Sequence, residues 1–156
     1  MFIIENQYIL ILACLGFSGL LSGLEIAYVS RDKLNFEIKS NSNSFFGNIY
    51  DILNKNSSEL IATLQIGINL SLVVYGIVMA QTVEPYLIQN LPTIINNDLS
   101  VLLVQTLIST LIVLITAEYI PKSIFLINPD RLLTTFSIPL IIIYFVLNPL
   151  VKFILI

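Results

Sequence analysis

Residues 101–118 read VLLVQTLISTLIVLITAE. The stretch is apolar almost throughout and ends on a carboxylate, Glu118. A second run, residues 9–25, ILILACLGFSGLLSGLE, closes the same way on Glu25. A membrane-spanning helix needs about 20 mostly apolar residues, and runs of this kind supply them. An unpaired acid at the centre of such a helix costs about 2.5–3.5 kcal/mol on insertion scales, unless it is paired, hydrated or bound to a cation. Small hydroxyls, amides and glycines interrupt the same runs. That combination points to a cation site inside a membrane.

Composition agrees. Of 156 residues, 56% are hydrophobic and 11% charged, against roughly 25% charged in an average soluble domain. Mean hydropathy is +0.92. The length allows one membrane domain and no sizeable soluble domain beside it. The net charge is −3 with no basic cluster, so nucleic acid is not an expected partner. The chain has no histidine, which removes the commonest general base and transition-metal ligand. The single cysteine, Cys14, lies within an apolar run and reads as a packed thiol. The N-terminus lacks the positive region of a signal peptide, so the first run is expected to be a retained helix.

Four apolar runs organise the chain. Three are long enough to span: about 8–29, 60–83 and 99–119. The second follows a capping-type start, Asn56-Ser57-Ser58-Glu59. The fourth, Leu132 to Ile156, is interrupted by Pro139 and by Asn148-Pro149, as expected of a kinked span or of helices lying along the membrane face. Juxtamembrane helices are expected over about 31–55 and 122–156. Ser40 to Ser44 reads as a loop. Arg31, Lys33, Lys39 and Lys55 fall between the first two runs, and no Lys or Arg occurs again before Lys122. Because basic loops stay on the cytoplasmic side, the N-terminus is expected outside and the C-terminus in the cytoplasm. The apolar ending PLVKFILI is expected to continue into a soluble part.

Polar residues mark three of these runs. Ser18, Ser22 and Glu25 are spaced i, i+4, i+7 and share one helical face. Gly19 and Gly23 form a GxxxG pair that lets another helix approach closely. The serines have a bland alternative, bonding back to their own backbone carbonyls. In the second run Gln65 and Asn69 lie four apart, with Gly67 between them and Ser71 nearby. Interhelical hydrogen bonding explains them as well as a ligand role does. The third run carries Gln105, Ser109 and Thr116 on one line and Thr106 and Thr110 on another. It ends Thr116-Ala117-Glu118-Tyr119-Ile120-Pro121-Lys122. Pro121 cannot donate a backbone hydrogen bond and displaces the carbonyl four residues back, that of Ala117. A rival role for Glu118 is an ion pair with Lys122 at i, i+4. The donors on offer are all oxygen, which suits Mg²⁺ or Ca²⁺ and disfavours Zn²⁺ or Cu²⁺. No nucleophile–base pair and no phosphate-binding loop is visible, so the chain is not expected to be an enzyme.

Three motifs in order, Ser22-Gly23-Leu24-Glu25-Ile26-Ala27, Leu64-Gln65-Ile66-Gly67-Ile68-Asn69 and Ala117-Glu118-Tyr119-Ile120-Pro121-Lys122, resemble the transmembrane domain of the CorB/CorC and cyclin-M magnesium transporters. Asn128-Pro129-Asp130-Arg131 resembles more loosely the Asn-Pro stretch after that family's third helix. The resemblance covers about Phe17 to Leu150. It implies an all-α membrane protein with three transmembrane helices, a juxtamembrane helical belt, a homodimer in the lipid bilayer, and a downstream cytoplasmic CBS-pair module that binds nucleotide. It also implies transport of Mg²⁺, in several members exchanged for Na⁺, and a bacterial inner-membrane location. Carried over by position, the metal residues would be Ser22 and Gly23, Gly67 and Asn69, and Ala117 and Glu118. Glu25, Ser18, Ser71 and Pro121 would support them. Leu24 stands where many bacterial members have a second serine, Ile68 where many have a first asparagine, and Ala117 where glycine is usual. A membrane scaffold whose polar residues only hold helices together, and a transporter of another cation, are the alternatives.

Overall fold

The computed structural model describes residues 2–42, 44–90 and 98–154. Met1, Asn43 of the Ser/Asn loop, residues 91–97 of the acidic second loop and the last two residues lie outside that description. Every regular element among the described residues is helical: α1 Phe2–Ser30, α2 Lys33–Ser40, α3 Phe45–Lys55, α4 Ser57–Asn90, α5 Asp98–Val113, α6 Ile120–Ile127, α7 Pro129–Thr135 and α8 Ser137–Ile154. A π-helical turn, Leu114–Tyr119, joins α5 to α6.

Three stretches are long and apolar enough to cross a membrane: Gln7–Ser30, Ser57–Gln89 and Asp98–Ile127. They are the three expected from the sequence, but two run further. The second continues through Pro85, because one donor lost near the end of a 34-residue helix does not stop it. The third continues as helix through Pro121 to Ile127. The fourth apolar segment is a broken pair, α7 and α8, bent by 69°. The break falls at Phe136. Pro139 lies in the first turn of α8, where a missing N–H goes unnoticed, and Pro149 sits inside the helix.

Leucine burial decides the packing. Leu21 and Leu24 of α1, Leu60 and Leu64 of α4 and Leu140 of α8 are fully enclosed in one core. Polar ties fix the ends of these helices. The Tyr28 hydroxyl donates to the Leu53 carbonyl at 2.8 Å and lies 2.8 Å from Ser57 Oγ. The Tyr144 hydroxyl of α8 donates to the Glu59 carboxylate of α4 at 2.9 Å. Just past α1, the Arg31 guanidinium stacks 3.6 Å from the Tyr28 ring centre and 4.5 Å from that of Phe36. Phe36 in turn meets Tyr50 edge-on, which closes α2 and α3 into a hairpin beneath α1. Asp32 accepts from the Leu34 amide and Ser44 from the Gly47 amide, capping α2 and α3.

The third span is peripheral. Only 6% of its most apolar stretch is buried, against 44% and 39% for the first and second. Its α5 part therefore presents most of its surface to the surroundings.

Candidate cation site

The two glycines of α1 set the geometry. A Cβ on Gly19 would stand 3.0 Å from the Pro121 ring, and one on Gly23 would stand 2.5 Å from the ring of Phe125. Pro121 and Phe125, one turn apart on the third span, thus fill the two hollows that the GxxxG pair leaves. A Cβ at Gly23 forces the Phe125 ring to move, and one at Gly19 leaves almost no room beside Pro121. Ala117 is buried in the same contact, and the Thr116 carbonyl oxygen lies 3.6 Å from the Gly19 Cβ position.

The π turn decides which carbonyl is freed. The Ile120 amide donates to the Ile115 carbonyl, five residues back instead of four. In that register the acceptor facing residue 121 is Thr116, and Pro121 has no N–H to give it. The sequence pointed to Ala117 as the displaced carbonyl. The wider turn leaves the Thr116 carbonyl facing the proline as well, 3.6 Å from the Gly19 Cβ position. The proline lies within one helical stretch that continues to Ile127.

Ser22 directly precedes Gly23 on α1. It is buried, and its hydroxyl has no hydrogen-bond partner among the described residues. An unpaired buried hydroxyl costs about 1–3 kcal/mol, so this position, like Tyr50 and Arg31 Nε, is open to a water or a ligand. Ser18 behaves differently: its hydroxyl donates to the Leu15 carbonyl at 3.2 Å, a local backbone bond. Ser71 donates across to the Cys14 carbonyl at 2.9 Å and ties α4 to α1. Gly67 is buried between Leu21 of α1 and Leu147 of α8. Leu24 and Ile68, which stand where the related pattern has oxygens, are both enclosed in the apolar core.

Two of the sequence candidates point elsewhere. Asn69 is exposed, as is Gln65 one turn before it. The buried line of α4 runs Leu64, Ile68, Ser71, Tyr75 and Met79, and the amides lie off it. Glu118 follows Ala117 but faces the outer flank of α4 and α5, where it lines a cavity with Gln105 and Ser109. Its carboxylate is 3.9 Å from Lys122 Nζ. That is longer than a charge-assisted hydrogen bond of about 2.7–2.9 Å, so the pair is a loose one. Glu25 is half-buried and has neither an ion-pair nor a hydrogen-bond partner among the described residues. Among the described residues no three of His, Cys, Asp or Glu come together. A cation held here would therefore depend on hydroxyl, amide and backbone oxygens, with the acids as field.

Tyr75 reads in the sequence only as packing. Its buried hydroxyl donates to the Ser109 carbonyl at 3.2 Å and holds α5 to α4. A tyrosine inside a span is the only signal the sequence offers for this.

Residues 9–156 match the family model described as the Cyclin M transmembrane N-terminal domain. The chain belongs to the cyclin-M transmembrane family. Comparison with curated proteins gives no match. Membership of the cyclin-M family and three spanning helices make this an integral membrane protein. The cyclin-M assignment points to metal-ion transport across the membrane, or a function related to it.

Proposed function

We propose that this domain binds Mg²⁺ between α1 and the π turn and moves it across the membrane, as a homodimer. The observation that carries the reading is the buried, unpartnered hydroxyl of Ser22, next in the chain to Gly23, whose hollow holds Phe125. Mg²⁺ asks for about six oxygens at about 2.0–2.1 Å and gives up water reluctantly. Ser22, the carbonyl opened by Pro121 and retained waters offer such a set. Glu25 and Glu118 supply negative field nearby, and rotation of Glu118 away from Lys122 would bring a carboxylate towards the ion. Asn69 joins the set only if α4 turns about its axis, which makes helix rotation part of the proposed cycle. The first loop, with its four cations, and the Lys122 end lie in the cytoplasm in this reading. Exchange against Na⁺, a bacterial inner-membrane location and control by a nucleotide-binding module are further parts of the proposal.

The test is thermal unfolding in detergent, titrated with Mg²⁺. A ligand that binds only the folded state raises the melting temperature. The native chain should be stabilised and Glu118→Ala should not. In proteoliposomes Glu118→Ala should insert normally and transport nothing. Absence of stabilisation at millimolar Mg²⁺, with stabilisation by another cation, would reassign the ion. Stabilisation by no cation would favour a scaffold, a reading to which the exposed position of Asn69 and the Glu118–Lys122 pair lend weight.

A further inference from the structure

The aromatic knot where α1 gives way to α2 holds donors without acceptors. Arg31 stands between the two helices. Its guanidinium lies over the rings of Tyr28 and Phe36. Ring stacking occupies the faces of the group and leaves its N–H edges to find partners. Nη1 donates to the Tyr28 carbonyl. Nε is buried with no partner, and Nη2 is neither hydrogen-bonded among the described residues nor enclosed. The Tyr50 hydroxyl, whose ring meets Phe36 from another side, is also buried without a partner.

No carboxylate answers this cation. Among the described residues the ion pairs are Lys55–Asp51 and Lys122–Glu118, and neither involves Arg31. The acid next to it, Asp32, accepts from the Leu34 and Asn35 amides as the cap of α2. Lys33 and Lys39 are likewise without an acid among the described residues, and Glu37 on the same helix pairs with neither. A guanidinium fixed by two rings, with an N–H edge to spare and no acid, suits an oxyanion. Arg holds phosphate through two parallel charge-assisted bonds.

The surroundings name the source of that oxyanion. The chain is an integral membrane protein, and Val29, Leu34 and Ile38, close to Arg31 in the chain, are exposed. Exposed apolar side chains beside cations are the make-up of a segment lying in the headgroup layer. Anionic lipids draw Lys and Arg to that layer. We infer that Arg31 binds the phosphate of an anionic phospholipid at the α1–α2 junction, with Lys33 adding charge. Nη2 meets the phosphate oxygen directly, and a small turn of the side chain brings Nε to it as the second donor. The site needs the membrane but not the transport reading.

Thermal unfolding of the full chain in a neutral detergent tests it. The probes are dioleoylphosphatidylglycerol and dioleoylphosphatidylcholine at equal concentration. A ligand of the folded state raises the melting temperature. The anionic lipid should raise it by several degrees more than the zwitterionic one. Raising NaCl from about 0.05 to about 0.5 M should at least halve that difference. Arg31→Gln should abolish the difference, and Lys55→Gln, whose lysine Asp51 already occupies, should keep it. Arg31→Lys retains a charge over the rings but lacks the fork, so it should fold and show a clearly smaller difference. It decides the matter if Arg31→Gln does not fold. Equal shifts with both lipids, or a full difference in Arg31→Lys, would overturn the site. Inorganic phosphate at about 10 mM should add nothing, since it lacks the acyl chains that hold a lipid in place. A rise equal to that from the anionic lipid, and lost in Arg31→Lys, would keep the oxyanion site and overturn lipid as its source.

Discussion

Gly23 lies beneath the ring of Phe125, so close that a methyl at position 23 would stand 2.5 Å from it. Gly23→Ala should therefore destabilise the domain by about 1–3 kcal/mol, the usual cost of overpacking. The melting temperature in detergent reads this loss. Phe125→Leu in the same chain should recover most of it, and simple additivity of the two changes would mean that they do not meet.

Ser22→Ala separates ligand binding from folding. Its hydroxyl is buried without a partner among the described residues, so removing it relieves a desolvation cost of about 1–3 kcal/mol. In metal-free buffer the variant should melt at or above the native temperature, yet Mg²⁺ should no longer raise that temperature. A large drop without metal would show that the hydroxyl is bonded within the fold.

Lys122→Met releases Glu118 from its neighbour at 3.9 Å. An open pair of this kind contributes up to about 1 kcal/mol. Half-saturating Mg²⁺ in the thermal titration should fall by up to about fivefold. A rise would mean that Lys122 helps hold Glu118 in its working position.

Tyr144→Phe removes the donor that holds α8 to the Glu59 carboxylate. Hydrogen bonds to charged groups contribute about 1.5–3 kcal/mol. Hydrogen exchange across α8 should quicken relative to α1 and α4. Glu59→Gln should cost less, because an amide oxygen still accepts. Unchanged exchange in Tyr144→Phe would show that leucine packing alone retains α8.

The spans were legible because bilayer thickness imposes length and apolarity together, and residues 101–118 satisfy both. The glycine pair was legible too: Gly19 and Gly23, four apart, receive Pro121 and Phe125, also four apart. The π turn was not. A ladder that steps back five residues uses the same side chains as one that steps back four, so Pro121 flagged Ala117 and gave no sign that Thr116 also faces the proline. Asn69 drew attention as an amide within a span. Burial of Leu64 and Ile68 on α4 outweighs one amide and sets that helix with Asn69 outward. That apolar spacing was present in the sequence and carried the better information about facing.

The third span is gripped closely at one end and, at the other, held to α4 chiefly by the Tyr75–Ser109 bond. Below the π turn, Pro121 and Phe125 are seated in the hollows of α1; above it, α5 is barely buried. The π turn is therefore a fulcrum and α5 its arm. At 1.5 Å per residue, a helix of 16 residues is about 24 Å long, so a tilt of about 10° moves its far end by roughly 4 Å. A strain too slight to unseat either glycine contact is magnified at Asp98 into a displacement wider than a water molecule.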